Sequence, residues 1–216
     1  LQARDPAGLI TTLVRTVTVL EPPAGPLPTN GSQLVCDAGA GRVWALNPDN
    51  DTLARIDAAG LTRDLEVSVC DDPRGVARAG DGSLWVACYG DDRLVVVSDA
   101  GVLLASLPLG YGSAPAGIAI APDGASAFVA LEGRGELVRF ATATRQQTGS
   151  VALGPRPRAL AVSADGARVL VTRLLSTTDY AEVWDVDAAS MALNRTIRIP
   201  KFGGDANRDA TASGRG

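Results

Sequence analysis

Pro73, Pro115 and Pro157 stand 42 residues apart, and each opens the same phrase. The three phrases are PRGVARAGDG, PAGIAIAPDG and PRALAVSADG. A second apolar run follows each of them: SLWVACYGDD, SAFVALEGRG and RVLVTRLLSTTDY. A degenerate earlier copy, LVCDAGAGRVWALNPDND, begins at Leu34. A fixed period of this length means that one small structural unit is written several times. Such a unit cannot bury its apolar faces alone and must stack on its neighbours.

The unit divides into four short strands. In the second copy, strand a covers 75–79, strand b 83–88, strand c 93–98 and strand d 102–107, with Gly and Asp at the intervening turns. Tight antiparallel hairpins need those residue types at those places. Four-strand units of this length, repeated, indicate an all-β chain of β-propeller blades. The expected division is the end of a preceding blade at 1–20, a Pro-rich loop at 21–33, blades at 34–72, 73–114, 115–156 and 157–199, and a loop or tail at 200–216. The chain thus reads as four full blades plus a leading partial blade. It reads as a segment of a larger ring of about six to eight blades.

Trp44, Trp85, Phe128 and Leu170 share one place in strand b, and so read as core between neighbouring blades. Trp184, in strand c of the last unit, reads the same way.

The stretch PAGIAIAPDGASAFVALEGRGELVRFATATRQQTGSVALG resembles the YVTN-type propeller repeat of bacterial surface and secreted proteins. PRGVARAGDGSLWVACYGDDRLVVVSDAG is similar to the related NHL-type repeat. The resemblance covers about residues 34–199 and implies the fold; it says little of function. The family's usual Asn after strand b is replaced here by Cys88-Tyr89, Leu131-Glu132 and Arg173-Leu174, so its role there does not carry over.

Composition removes several function classes. The chain has no histidine, which excludes a Ser-His-Asp triad, a His-ligated haem and an HExxH zinc site within it. Charge is mixed, 20 basic against 24 acidic residues, with no basic stripe for nucleic acid. The apolar runs are strand-sized, so no membrane insertion is expected. No cofactor is expected either. Cys70 precedes strand a of the second blade and Cys88 ends its strand b. Antiparallel pairing brings them within bridging reach, leaving a Cys70–Cys88 disulfide and free thiols both open. A bridge would indicate a periplasmic or extracellular setting. Cys36, in strand a of the first blade, reads as buried.

Strand direction sorts the loops onto two faces. The a–b and c–d turns on one are short and uniform, whereas the d–a and b–c loops on the other are long and varied. Binding residues concentrate on such loops. The candidate groups there are Asp71, Asp72, Arg74, Tyr89, Asp91, Asp92, Tyr111, Arg134, Arg156, Arg158, Asp179 and Tyr180, with Arg74, Arg158, Tyr89, Tyr111, Asp71 and Asp72 foremost as ligand-binding residues. Two guanidiniums could grip a carboxylate or phosphate, but Arg74 could equally pair with Asp71 or Asp72. Asp91 and Asp92 read as paired carboxylates or as solvated turn residues. Asp205, Asn207 and Asp209 have calcium-loop spacing, but Ala210 and Gly216 stand where the loop needs Gly and an acid.

Two functions follow. The first is a non-catalytic scaffold that binds a protein or small ligand through the d–a/b–c loop face. The alternative is part of a propeller enzyme: a metal-dependent, lactonase-like hydrolase using Glu132, Asp91 and Asp71, or the propeller of a larger redox protein with a c-type haem domain elsewhere.

Overall fold

The structure is a computed structural model that describes residues 2–4, 10–12, 29–30 and 33–200. The described residues form strands and turns with no helix. The first blade consists of Leu34–Asp37, Arg42–Asn47, Thr52–Asp57 and Thr62–Ser68. The second consists of Pro73–Arg78, Leu84–Cys88, Arg93–Val97 and Leu103–Pro108. Pro115–Ile120, Ser126–Leu131, Glu136–Ala141 and Gln147–Ala152 make the third. Pro157–Val162, Arg168–Arg173, Tyr180–Asp187 and Leu193–Pro200 make the fourth. Within each blade the strands pair antiparallel in chain order, a to d. Thr29–Asn30 adds a fifth strand along strand a of the fourth blade, and Gln2–Arg4 pairs with Ile10–Thr12 in a separate hairpin. The four sheets do not close into a ring.

The turns explain why the chain reverses where it does. At each a–b turn of the last three blades an Asp side chain accepts the amide two residues on: Asp81 from Ser83, Asp123 from Ala125 and Asp165 from Ala167. The glycine after each Asp lies at positive φ, 86° at Gly82, 74° at Gly124 and 73° at Gly166. A β-carbon disfavours that conformation.

The core lies between blades. Trp44 and Leu53 of the first meet Val76, Val86 and Val95 of the second. Trp85, Leu94 and Val96 meet Ile118, Val129 and Val138 of the third. Phe128 and Leu137 meet Leu160, Val171, Trp184 and Val186 of the fourth. In the second and third blades strands a and b are accordingly buried on both faces, while residues of strand d alternate or lie exposed.

Two expectations about the core need correction. Leu170 matches Trp44, Trp85 and Phe128 in register but is 39% exposed. Cys36 is exposed as well. One cause serves both. Leu170 lies on the leading face of the fourth blade and Cys36 on the trailing face of the first, and no described sheet covers either face.

Strands a of successive blades pass backbone to backbone. A β-carbon on Gly75 would stand 2.6 Å from the Ala116 carbonyl oxygen, and one on Gly117 would stand 2.1 Å from that of Arg158. This is why Gly follows Pro by two residues in the second and third blades. In the fourth, Ala159 holds that position and is exposed.

Cys70, in the connector from the first blade, is disulfide-bonded to Cys88 of the second, with α-carbons 5.8 Å apart. Replacing both cysteines by Ala should lower unfolding stability by about 3 kcal/mol in urea titrations, as loop closure of this length implies. Gly117→Ala should cost roughly 1–3 kcal/mol in the same assay, because rigid backbone rather than a side chain meets the new methyl. An unchanged midpoint in either case contradicts the packing described.

Candidate functional site

The d–a and b–c loops meet on one face. Gly90 N–H donates to the Asp71 carbonyl, Gly133 N–H to that of Ser113 and Leu174 N–H to that of Arg156. Strand a of the last three blades begins with a register shift, between Pro73 and Gly75, Pro115 and Gly117, and Pro157 and Leu160. Arg74, Ala116 and Arg158 follow those prolines inside the shifts. A bulge frees its extra residue from the sheet's alternation and re-aims the side chain. That is how two arginines of a buried strand reach this face.

Both guanidiniums are engaged. Arg74 forks onto Asp72, Nε to Oδ1 at 2.8 Å and a terminal nitrogen to Oδ2 at 2.7 Å, and it lies 4.2 Å over the Tyr89 ring. The Asp72 bond, opposed by burial, holds Arg74 above its ordinary pKa. The Tyr89 hydroxyl stands 3.5 Å from Glu132 Oε1. Arg158 donates to Glu132 Oε2 at 2.8 Å. Asp72, Arg74, Tyr89, Glu132 and Arg158 thus form a charge-balanced ladder across three blades. Glu132 is 6% exposed, so its pairing with Arg158 is what makes a carboxylate tolerable there.

Asp91 and Asp92 brace loops. Asp91 accepts the Asp71 amide at 3.0 Å and Arg93 at 2.6 Å. The Asp71 amide, with Arg93, holds its carboxyl below the usual range against burial. Asp92 accepts the amides of Gly112 and Ala114, both at 2.7 Å, and the Ser113 hydroxyl at 3.1 Å. Burial pulls its pKa upward, and those three donors outweigh it, so the carboxyl is held low. Asp51 performs the corresponding task one blade earlier, accepting the Asp72 amide at 3.0 Å.

A cavity of about 530 Å³ opens on this face, lined by Tyr89, Glu132, Arg134, Gly135, Gly154 and Arg156 among others. Of the sequence candidates, Tyr89 lines it directly, and Arg158 borders it through Glu132. Tyr111 is 97% exposed and lies outside the lining, its carbonyl 3.5 Å from Arg134. Asp71 packs against Gly90, away from the cavity. Arg134 and Arg156, loop-face groups from the runs LEGRG and GPRPR outside the foremost six, line the cavity too, as does Glu132, the acid of the hydrolase alternative. Among the described residues no three His, Cys, Asp or Glu side chains converge to hold a metal ion. Asp205, Asn207 and Asp209 lie outside the described residues.

No protein-family model matches the chain, and no curated protein matches it. Solved structures do. Hydrazine synthase of Kuenenia stuttgartiensis superposes with a TM-score of 0.72 at 22% identity over 88% of this chain and 53% of that one. A putative 6-phosphogluconolactonase from Bacteroides uniformis gives 0.63 at 14% identity, over 92% of this chain and 64% of that one. Virginiamycin B lyase from Staphylococcus aureus gives 0.62 at 15% identity, over 93% of this chain and 62% of that one. The chain thus spans between about half and two thirds of the solved chains it matches. These are β-propeller proteins, and the fold of this chain is a partial β-propeller. The propellers it resembles include a lyase, a putative lactonase and a synthase, and at these identities the likeness shows the fold alone.

A carboxylate held low contributes stability that is present above its unfolded pKa and is lost as pH falls through the folded one. Asp91 and Asp92 both have this sign. Asp92→Asn should cost roughly 1–3 kcal/mol near neutral pH and flatten the acid limb of stability. Urea unfolding followed from about pH 7 down to about pH 2 reads both effects. An acid limb identical to the parent's contradicts the bracing role.

Proposed function

We propose that this chain is a non-catalytic propeller module that binds a ligand through its d–a/b–c loop face. Besides the cavity of about 530 Å³ on this face, one of about 570 Å³ opens against the a–b turns at 79–80 and 122–124, so size alone does not choose between them. The observation that carries the reading is the polar lining of the cavity on the loop face. Its floor is fixed, because Tyr89 is held under Arg74 and Glu132 is held by Arg158. Its other polar groups, Arg134 and Arg156, are exposed and carry no ion pair among the described residues. A rigid floor with unspent donors suits recognition.

The finer reading is a YVTN-type, NHL-like repeat from an exported bacterial protein, with the ring continued by further blades. The repeated Pro-led phrase supports the family, and the Cys70–Cys88 bond supports a periplasmic or extracellular compartment. The uncovered leading face around Leu170 supports further blades. Mixed charge offers nothing to nucleic acid.

The enzymatic alternative needs a divalent ion on Glu132, Asp91 and Asp71. Each is committed otherwise: Glu132 to Arg158, Asp91 to Arg93, and Asp71 to its packing on Gly90. Calorimetric titration with calcium, magnesium and zinc, followed by a simple lactone as substrate, should give no stoichiometric ion and no turnover above buffer. Metal-dependent hydrolysis that Glu132→Gln abolishes would replace the binding reading with the hydrolase one.

A further inference from the structure

The repeat supplies its own control for the cavity. Three residues occupy the same point of the b–c loop, because the carbonyl of each accepts the amide that ends strand d: Asp51 from Val69, Asp92 from Leu109 and Gly135 from Leu153. All three have positive φ, 59°, 53° and 71°. Three further residues occupy the same point of the d–a loop, immediately before the repeated proline: Asp72, Ala114 and Arg156. These too share positive φ, 46°, 44° and 59°, and their carbonyls accept from Tyr89, Glu132 and Leu174.

In the first two copies the two points are joined by a carboxylate. Asp51 Oδ1 takes the Asp72 amide at 3.0 Å, and Asp92 Oδ1 takes the Ala114 amide at 2.7 Å. In the third copy the carboxylate is missing. Gly135 has no side chain to offer, and the Arg156 amide finds no acceptor among the described residues. The cavity is lined by both of these residues, and by Arg134 and the Arg156 side chain. The carboxylate nearest the floor, Glu132, is neutralised by Arg158.

We propose that this cavity binds the carboxylate of a small organic acid, seated where the repeat's own aspartate is absent. The ligand's oxygens take the Arg156 amide, as Asp51 and Asp92 take its counterparts, and the Arg134 and Arg156 guanidiniums close on them as charge-assisted donors. Tyr89 and Glu132 face the remainder of the molecule, which favours an acid that also carries a hydroxyl or amine for Glu132 to accept. The proposal rests on the loop-face reading above and narrows its ligand class.

The test titrates the folded chain with lactate, acetate, inorganic phosphate and chloride at constant ionic strength, following backbone amide resonances. Lactate and acetate should give saturable shifts centred on residues 133–135 and 154–158, with lactate the tighter and chloride silent. Arg134→Ala combined with Arg156→Ala should raise the Kd at least about tenfold, the loss expected for charge-assisted bonds. Both side chains are exposed, and Ala already serves at the equivalent position 114, so the fold should stand. Unsaturable shifts, an unchanged Kd in the double variant, or phosphate binding tighter than the carboxylates would each overturn the proposal. None of these touches the loop-face reading, which falls only on metal-dependent turnover.

Discussion

A blade of this chain has two apolar faces and can cover neither by itself, so everything depends on the contact between consecutive blades. That contact is set at its inner rim by backbone, where the Gly75 and Gly117 α-carbons meet the carbonyls of Ala116 and Arg158. With the rim fixed, strands b and c are brought near enough for Trp44, Trp85 and Phe128 to fill the gaps completely. Interiors packed to this density leave little freedom of spacing. The loops that connect the strands therefore arrive on their face at reproducible positions, and a ladder reaching from Asp72 to Arg158 can span three blades.

Polar contacts between blades fall into two groups of unequal weight. At the outer turns Arg42 pairs with Asp99, Arg55 bonds the Asp99 carbonyl, and Arg139 bonds the carbonyls of Ala188 and Ala189. These are part-exposed or exposed, and such contacts contribute little singly. The Glu132–Arg158 pair differs because Glu132 is buried. Loss of Arg158 would strand a charge in a poorly solvated place, a cost well above that of a surface pair. The arginine is needed by the protein, which is why it is not free for a ligand.

The sequence carries the blade count among residues 34–199, the strand order and the sorting of loops, because each depends on local turn chemistry and on a pattern repeated in register. It fails wherever the outcome depends on a neighbour. Leu170 has the pattern of a core residue, and Cys36 that of an inner-strand residue, yet each needs a covering sheet that the pattern cannot supply. Arg74 and Arg158 show the same limit at the candidate site. Their place after the proline is legible, but their partners are reached by a bulge and by a loop of another blade. The Asp51 and Asp92 braces lie at long sequence separation from the amides they hold, 21 residues for Asp51 and Asp72. They become visible only when the turns are superposed in space.

Repetition also gives departures a meaning that a single blade would lack. Asp185 shows this on the fourth blade. It stands across from Leu170 as Arg55 stands across from Trp44 and Arg139 from Phe128. It is 1% exposed yet bonded to two exposed arginines, Arg168 and Arg195. The sign of the charge has been reversed where the leading face is uncovered, and the arginines now come from flanking strands. Gly135 is a departure of another kind. Asp185 has its charge countered within its own blade by two arginines on Oδ2, though its buried Oδ1 finds no partner, whereas Gly135 leaves an amide without its usual acceptor. A lost brace costs stability, and the third blade gains no contact in exchange except the close approach of the Gly154 carbonyl. The glycine itself follows from packing, because a β-carbon at 135 would stand 2.6 Å from the Gly154 carbonyl oxygen. Its consequence is an Arg156 amide without an acceptor, beside two arginines that carry no ion pair among the described residues, and that is the opening the proposed carboxylate would use.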